Sequence, residues 1–265
     1  MRAHANLHTR LRGLQRMGIY MKELITRALE NLGVKKGDCL LVHTSFKALG
    51  KGVKAEDVIK GLTAAIGNNG TLIIPSLSYS TVTKEAPLFD VRSTKACIGY
   101  FPEFFRNYNG SIRSVHPTHS CSAVGAEAEE FVNSHYIDRT PVGENSPFRK
   151  LAGFGGKILF LGCSSAPNTS MHGVEELVVP DYLYGEDIEY TLTNYDGKSY
   201  NALYRTHGFA HTAQRYERVE ALLNQYEMSK GKVLEAQCTL MSSAALWKKG
   251  KEAMEKDSHF FVEIY

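Results

Sequence analysis

Hydrophobic positions with a helical period begin directly after Met21. In the segment KELITRALENLG the apolar residues fall on one helix face, and Gly33 provides a common helix stop. Two strand-like segments follow, GDCLLVH and TLIIPSLSYS, with a helical pattern from Ala55 to Ile66 between them, and the second enters a loop at Pro75. Their short apolar stretches predict the first two core strands.

A third apolar run, from Ile158 to Leu161, predicts another buried strand. Helices are predicted from Gly99 to Asn107, from about Ala126 to Asn133, and from Ser146-Pro147, a good cap and first helical position, to Leu151. The polar segment from Ser80 to Thr94 predicts a long connection between elements.

The pattern changes in the last third of the chain. The segment YTLTNYDGKSYNALYR alternates around Asp196-Gly197 and predicts a β-hairpin at about 188–206. Beyond it the sequence predicts mostly helix, with the best segments from Tyr216 to Tyr226 and from Ala244 to Met254. Because no linker or repeat interrupts the chain, residues 21–265 are predicted to form one domain.

The composition fits a soluble globular protein and excludes several classes of function. Hydrophobic residues make up 43% and charged residues 22% of the chain, and the net charge of +3 is too small to indicate a nucleic-acid partner. No apolar run approaches the roughly eighteen residues that a membrane span needs. The five cysteines lack CxxC pairing, which predicts reduced core residues of a cytoplasmic protein: Cys39, Cys97, Cys121, Cys163 and Cys238.

The first twenty residues differ from the rest, since they contain four arginines and no acidic residue. They also lack the apolar core of a signal peptide. We therefore expect residues 1–20 to be a leader or disordered extension that is dispensable for folding.

The stretch from Gly155 to Glu176 carries the strongest candidate chemistry. A buried strand is followed by a small polar loop, and Thr169 stands at the expected N-cap of a helix. His172 then lies in the first turn, and Glu175 follows three residues later on the same face. The pair is a candidate general base with its orienting carboxylate, although the same spacing often occurs on helices without function.

The loop after the first strand is the second candidate site. Thr44 and Ser45 follow the strand at its carboxyl end, where open α/β sheets place ligands. The Gly/Lys loop from Phe46 to Gly52 is suited to a phosphate group, but it lacks the GK[ST] ending of a Walker A loop. A solvated turn is an equally good interpretation of this loop taken alone.

Three segments, in order, resemble the aminoglycoside 3-N-acetyltransferases, coenzyme A-dependent enzymes with a fold distinct from the GNAT acetyltransferases. They are GDCLLVHTSFKALG, GYFPEFFRNYNGSIRSVHPTHSCSAVG and TPVGENSPFRKLAGFGGKILFLGCSSAPNTSMHGVEE. The resemblance covers about Met21 to Glu176, and the last third matches only in layout. It implies a three-layer α/β/α sandwich around a mixed central sheet, with the hairpin and a helical C-terminal third added.

The resemblance also implies the roles of individual residues. His172 is the base that deprotonates the acceptor amine, Glu175 is its partner, and acetyl-CoA is the donor in a direct transfer. Backbone amides near Ser45 or the Thr169 hydroxyl stabilise the oxyanion. The residues expected to hold the pantetheine and phosphates of coenzyme A are Thr44, Ser45, Phe46, Lys47, Arg113 and Ser114. Cys163 is expected only to pack at the strand end.

The acceptor side is less defined. A polycationic aminoglycoside favours a cleft lined with carboxylates, and four acidic residues before the hairpin are candidates, although they also fit a solvated loop: Asp181, Glu186, Asp187 and Glu189. The expected partners are a small-molecule amine and coenzyme A, without metal, nucleic acid or membrane, and a homodimer is left open.

Two rival functions remain at this point. His172 and Glu175 also resemble a carboxypeptidase-like zinc pair, to which His207 and His211 would add a ligand, so a zinc-dependent hydrolase is one alternative. A non-catalytic paralogue that binds coenzyme A without turnover is the other.

Overall fold

The computed structural model describes residues 18–209 and 211–265 and is built around a seven-stranded sheet. Its strands, in chain order, are β1 (Cys39–Thr44), β2 (Thr71–Pro75), β4 (Ile112–Arg113), β5 (Cys121–Gly125), β6 (Lys157–Leu161), β10 (Met228–Val233) and β11 (Ala236–Ser242). They lie in the order β10-β11-β6-β1-β2-β5-β4. The central strands β6, β1 and β2 run parallel, and their outer neighbours pair antiparallel. The mixed sheet expected from the resemblance is therefore confirmed.

Helices cover both faces of this sheet, because the central strands are apolar on both sides. Leu40 and Leu72 pack against the layer formed by α1 (18–32), α2 (Ala55–Ile66) and α3 (Tyr100–Arg106). Leu41 and Ile73 face the opposite layer. That layer contains α4 (Ala128–Val132), α5 (Pro147–Gly153), α6 (Ser170–Val178) and α7 (Ser243–Lys256). The three-layer arrangement thus follows from strands buried on both faces.

The predicted hairpin is confirmed, and it belongs to a separate small sheet. Strands β7 (Tyr184–Thr193) and β8 (Ser199–His207) flank a turn in which Gly197 has φ 80°, a left-handed conformation that glycine adopts without steric cost. Their third strand is β3 (Leu88–Asp90), which pairs parallel to β7. This strand lies inside the segment predicted to be only a connection. A further pair consists of β9 (Thr212–Gln214) and β12 (Val262–Ile264).

The expectation of a helical C-terminal third is wrong. After the hairpin, α7 is the one α-helix among the described residues, and Tyr216–Leu222 forms a 3-10 helix. Residues of β10 and β11 form a second hairpin that extends the central sheet beside β6. Pairing with β6 satisfies backbone groups that would otherwise lie on an open sheet edge, which outweighs the weak helical propensity of this segment.

The N-terminal boundary is shifted from the expected one. Helix α1 already includes residues 18–20, three residues before the predicted domain start at Met21. The remainder of the predicted leader, residues 1–17, lies outside the described residues. Within residues 18–209 and 211–265, none of the helices combines the length and apolar character needed to cross a membrane.

Candidate active site

A cleft of about 800 Å³ opens at the carboxyl ends of the three parallel strands. Thr44 at the end of β1, Pro75 at the end of β2 and Cys163 just beyond β6 line its floor. The opposite wall comes from the small sheet, with Tyr190 of β7 and His207 of β8. The location agrees with the general preference of open α/β sheets for ligands at this edge.

Helix α6 brings His172 to the cleft and keeps Glu175 behind it. The His172 side chain lines the cleft and is 16% exposed, whereas the Glu175 side chain is fully buried. Their contact joins His172 Nδ1 and Glu175 Oε2 at 3.3 Å. The structure therefore brings together the two residues that the helical spacing placed on one face.

Two tyrosines that the sequence analysis did not identify complete this group. Tyr216 Oη lies 2.8 Å from both His172 Nδ1 and Glu175 Oε2, and Tyr182 Oη donates to Glu175 Oε1 at 2.9 Å. Tyr216 lies 44 residues from His172 in the sequence, so no local motif indicates its role.

The tyrosine contacts fix the tautomer of the histidine. Burial, with the neighbouring Glu175 charge, raises the pKa of Tyr216 well above its ordinary value, so its single proton is retained. The acceptor-only carboxylate of Glu175 takes that proton in a hydrogen bond, and the phenol oxygen then accepts from His172 Nδ1–H. This tautomer leaves the Nε2 lone pair of His172 free for a proton or another ligand.

Two more histidines surround this ring. The ring centroid of His207 lies 4.5 Å and that of His119 lies 6.0 Å from His172, and those of His119 and His207 are 5.2 Å apart. Burial and the neighbouring histidines lower the pKa of both well below the ordinary value, so both rings are neutral near pH 7. Desolvation also lowers the pKa of His43, in the floor of the cleft, to about 3.

The expected oxyanion donors are only partly placed at the cleft. Thr169 lines the cleft, and its hydroxyl caps no backbone amide of α6. Thr44 also lines it, and its hydroxyl is buried without a hydrogen-bond partner among the described residues. The Ser45 amide does not serve, because it donates to the Leu161 carbonyl at 2.9 Å. Of the backbone amides expected near Ser45, that of Ser45 itself is therefore not available to an oxyanion.

Comparison with known proteins decides the family. The family model described as aminoglycoside 3-N-acetyltransferase matches residues 41–255. The chain belongs to this family. The resemblance inferred from three segments and the predicted enzyme class are thereby confirmed.

Two relatives illustrate the extent of the sequence similarity. Aminoglycoside N(3)-acetyltransferase III of a Salmonella species is 28% identical over 275 residues, which cover 91% of this chain and 93% of that protein. Aminoglycoside N(3)-acetyltransferase VIII of Streptomyces fradiae is 34% identical over 169 residues, covering 57% of this chain and 59% of the relative. The chain thus spans about three fifths of the second relative and nearly all of the first.

Solved structures of the family have the same fold. AAC-IIIb in a binary complex with CoASH superposes with a TM-score of 0.78 at 25% identity, over 89% of this chain and 96% of that chain. A histidine-to-alanine mutant of AAC(3)-IVa was solved in complex with a gentamicin. It superposes with a TM-score of 0.77 at 26% identity, over 91% of this chain and 90% of that chain.

Arg113, expected from the family resemblance to hold a phosphate of coenzyme A, lies elsewhere. It is 2% exposed, does not line the cleft, and stacks over the Phe89 ring at 4.9 Å. Its guanidinium donates to Ser120 Oγ, the Ser76 carbonyl and the Thr94 carbonyl. These internal bonds leave no exposed fork for a phosphate, so the structure contradicts the expected role.

Ser114 is also internal. Its side chain is fully buried, bonds to His135 Nδ1 at 2.9 Å and accepts from the Cys121 amide at 2.9 Å. The family resemblance placed Arg113 and Ser114 on the ligand side. Their burial depends on the strand pairing of β4 with β5, which local sequence does not specify.

The remaining donor-side residues lie outside the cleft lining. Phe46 packs against Tyr100 and Phe101, with ring centroids 5.4 and 5.7 Å apart. Lys47 is exposed at the short 3-10 helix that follows β1. Both remain close in sequence to Thr44, which does line the cleft.

The expected acidic wall is mostly absent from the described cleft. Of the four candidate carboxylates only Glu186 lines it, and this residue forms an ion pair with Lys84. Asp187 pairs with Arg205, and Asp181 lies 82% exposed beside His259. Glu189 is exposed and is not a lining residue. Asp181, Asp187 and Glu189 therefore fit the alternative interpretation, a loop exposed to solvent.

Of the two histidines that the zinc-hydrolase alternative adds to His172 and Glu175, only His207 reaches the cleft. His207 enters the cleft at the end of β8, but His211 lies beyond the strand and is exposed. The i, i+4 spacing brings two side chains together only on a helix, and His207 ends strand β8.

Proposed function

We propose that the protein transfers the acetyl group of acetyl-CoA to an amine of an aminoglycoside or a related amine, with His172 as general base. The observation that carries this proposal is His172 itself, which faces the cleft while a buried carboxylate and a tyrosine hold its far nitrogen. Family neighbours solved with CoASH and with a gentamicin support the choice of donor and acceptor.

The acceptor amine is protonated at neutral pH and first releases one proton to solvent, which frees the nitrogen lone pair to attack the thioester carbonyl. His172 Nε2 accepts a second proton from this nitrogen, directly or through water, as the C–N bond forms. The developing imidazolium is stabilised by Glu175 through the Nδ1 side. The tetrahedral intermediate then collapses and the C–S bond breaks. The coenzyme A thiolate takes the proton from His172 and leaves as the thiol.

The two threonine hydroxyls at the cleft are the proposed oxyanion donors. Thr44 ends β1, and Thr169 precedes α6, which follows the neighbouring parallel strand β6, so both lie at the same edge of the sheet. The buried Thr44 hydroxyl, which has no partner among the described residues, can turn toward a developing negative charge. We place the pantetheine along Thr44 and Ser45, with Phe46 and the exposed Lys47 toward the phosphates.

An acyl-cysteine route through Cys163 is disfavoured. Burial raises the pKa of the Cys163 thiol to about 11, so the thiolate nucleophile is scarce at neutral pH. We therefore expect Cys163→Ala to keep kcat within about twofold of the wild type, since direct transfer needs no nucleophilic thiol. Loss of acetyl transfer in a folded Cys163→Ala variant would favour an acyl-enzyme.

The decisive test is thiol release from acetyl-CoA with a panel of aminoglycosides and simple amines. Amine-dependent release that is lost in His172→Ala supports the proposal. Binding of coenzyme A without release for any amine would identify a non-catalytic paralogue. The same panel distinguishes an aminoglycoside from a smaller amine as acceptor.

A further inference from the structure

Three histidines converge at the cleft from separate parts of the fold. His119 precedes β5, His172 lies in α6, and His207 ends β8. One ring nitrogen from each lies within 4.8 Å of the others. Three imidazoles that meet around an accessible position are the protein ligand set of some mononuclear zinc sites.

The hydrogen bonds behind the rings suit metal ligands. His172 Nδ1 contacts Glu175 and Tyr216, and His119 Nδ1 bonds to the Thr118 hydroxyl at 2.8 Å. Metal-binding histidines typically use their second nitrogen in this way, which fixes the ring and directs the free nitrogen at the ion. His172 and His119 therefore both present Nε2.

The third ring has an unsatisfied nitrogen. His207 Nε2 is buried and has no hydrogen-bond partner among the described residues. Glu176 Oε1 lies 3.7 Å from it, outside hydrogen-bonding distance. A buried polar atom without a partner is costly, and a metal ion would satisfy it.

The electrostatics also favour a cation. Glu175 lies 3.3 Å from His172, and Glu176 lies 3.7 Å from His207. Carboxylates this close offset the charge of a bound divalent ion.

We propose that His119, His172 and His207 form a site for a divalent transition metal, best matched to zinc, and that its occupation blocks the base at His172. Tetrahedral zinc with bonds of about 2.0–2.1 Å separates its nitrogen ligands by roughly 3.3 Å, so the three ring nitrogens, which lie within 4.8 Å of one another, must draw together to bind it. Zinc takes the His172 lone pair that proton abstraction requires, and so acts as an inhibitor. This site runs against the expectation of a protein without metal.

Direct binding tests the site independently of acetyl transfer. Untagged protein is titrated with Co²⁺ and followed by visible absorption, and Zn²⁺ stoichiometry is measured after equilibrium dialysis. We expect about one ion per chain, and at least about tenfold weaker binding in His207→Gln and in His119→Gln. His211→Gln is the matched control, because this exposed histidine lies four residues from His207 and outside the cluster.

The outcomes separate the two proposals. No binding by the wild type at micromolar Zn²⁺, or an equal loss in His211→Gln, would overturn the metal site. Thermal unfolding of each variant checks that lost binding does not reflect lost folding. The inhibition rests on the proposed function and is measured as thiol release against Zn²⁺ concentration. Full activity with the site saturated would overturn the inhibition, whereas metal binding by a protein without transfer activity would leave the site standing and reject the function.

Discussion

Two segments of this chain resemble the same family in sequence, yet their polar residues lie in opposite environments. In α6, His172 reaches the cleft and only its far nitrogen is tied to the protein. In β4, Arg113 is almost completely buried and all of its described hydrogen bonds are internal. The first segment presents a reactive nitrogen to the cleft, and the second stabilises the fold through internal hydrogen bonds.

The difference shows that a polar family motif near a strand end is not by itself a binding site. Arg113 ties the Ser76 carbonyl, just beyond β2, to the loop at Thr94. Leu77, which follows Ser76, lines the cleft. Arg113 thus affects the cleft only through the position of its floor.

Replacement of His172 should have the largest effect on activity. We expect His172→Ala to lower kcat by about 10²–10⁴-fold, the usual contribution of a general base, with acetyl-CoA binding nearly unchanged. His259→Ala, at a histidine that does not line the cleft, is the control. More than about a tenth of wild-type kcat in His172→Ala would remove His172 from the base role.

Replacement of Arg113 should lower the stability of the fold and leave the binding of acetyl-CoA unchanged. Arg113→Ala removes three internal hydrogen bonds and leaves the Thr94 carbonyl without this donor, while Ser120 still donates to the Ser76 carbonyl, and we expect a loss of about 3–5 kcal/mol of unfolding free energy. Urea unfolding measures this loss. In the folded fraction the KM for acetyl-CoA should stay near the wild-type value. A raised KM with unchanged stability would restore the phosphate-binding role.

The residues behind the base should have a smaller effect than the base itself. Tyr216→Phe removes the oxygen that accepts from His172 Nδ1, so we expect kcat to fall by about tenfold through loss of the fixed tautomer. Glu175→Gln should lower kcat by less than His172→Ala does, because the imidazolium that forms during transfer loses its neighbouring negative charge. An unchanged kcat in both variants would assign these residues to packing alone.

Acid should destabilise the fold through the buried histidines. The folded-state pKa of His43 is about 3, below the ordinary value of 6.5, so the unfolded chain binds more protons between these pH values. Stability is therefore full above about pH 6.5 and falls as the pH drops toward 3, by up to about 1.4 kcal/mol per pH unit for each such group.

His43→Phe tests this linkage, since it keeps a ring stacked on Phe160 but removes the titration. Thermal unfolding from pH 7 to pH 4 should show a flatter curve for His43→Phe than for the wild type. His259→Phe serves as the control outside the cleft. Parallel curves for all three proteins would show that His43 does not contribute.

Local sequence was sufficient where the structure depends on neighbours along the chain. The apolar runs predicted β1, β2 and β6 because strands buried on both faces need continuous apolar residues. The Asp196-Gly197 turn predicted the hairpin. The spacing of His172 and Glu175 predicted their contact, since a helix fixes which residues share a face.

Other features depend on strand pairing between residues far apart in the sequence, which local patterns do not predict. The strands β10 and β11 were mistaken for helix, because their place beside β6 depends on an edge supplied by distant residues. The same holds for Arg113, whose burial follows from the pairing of β4 with β5.

Periodicity and short motifs express contacts between near neighbours, so they were enough to predict the family, the core strands and the helix that carries the proposed base. The contact of Tyr216 with His172 Nδ1, and the approach of His119 and His207 to the same ring, became visible only in the folded chain. These residues lie on separate elements, and their side chains meet only after the small sheet packs over the carboxyl ends of the parallel strands. The physical reason is that distances across a fold are set by the packing of whole layers, which no local pattern encodes.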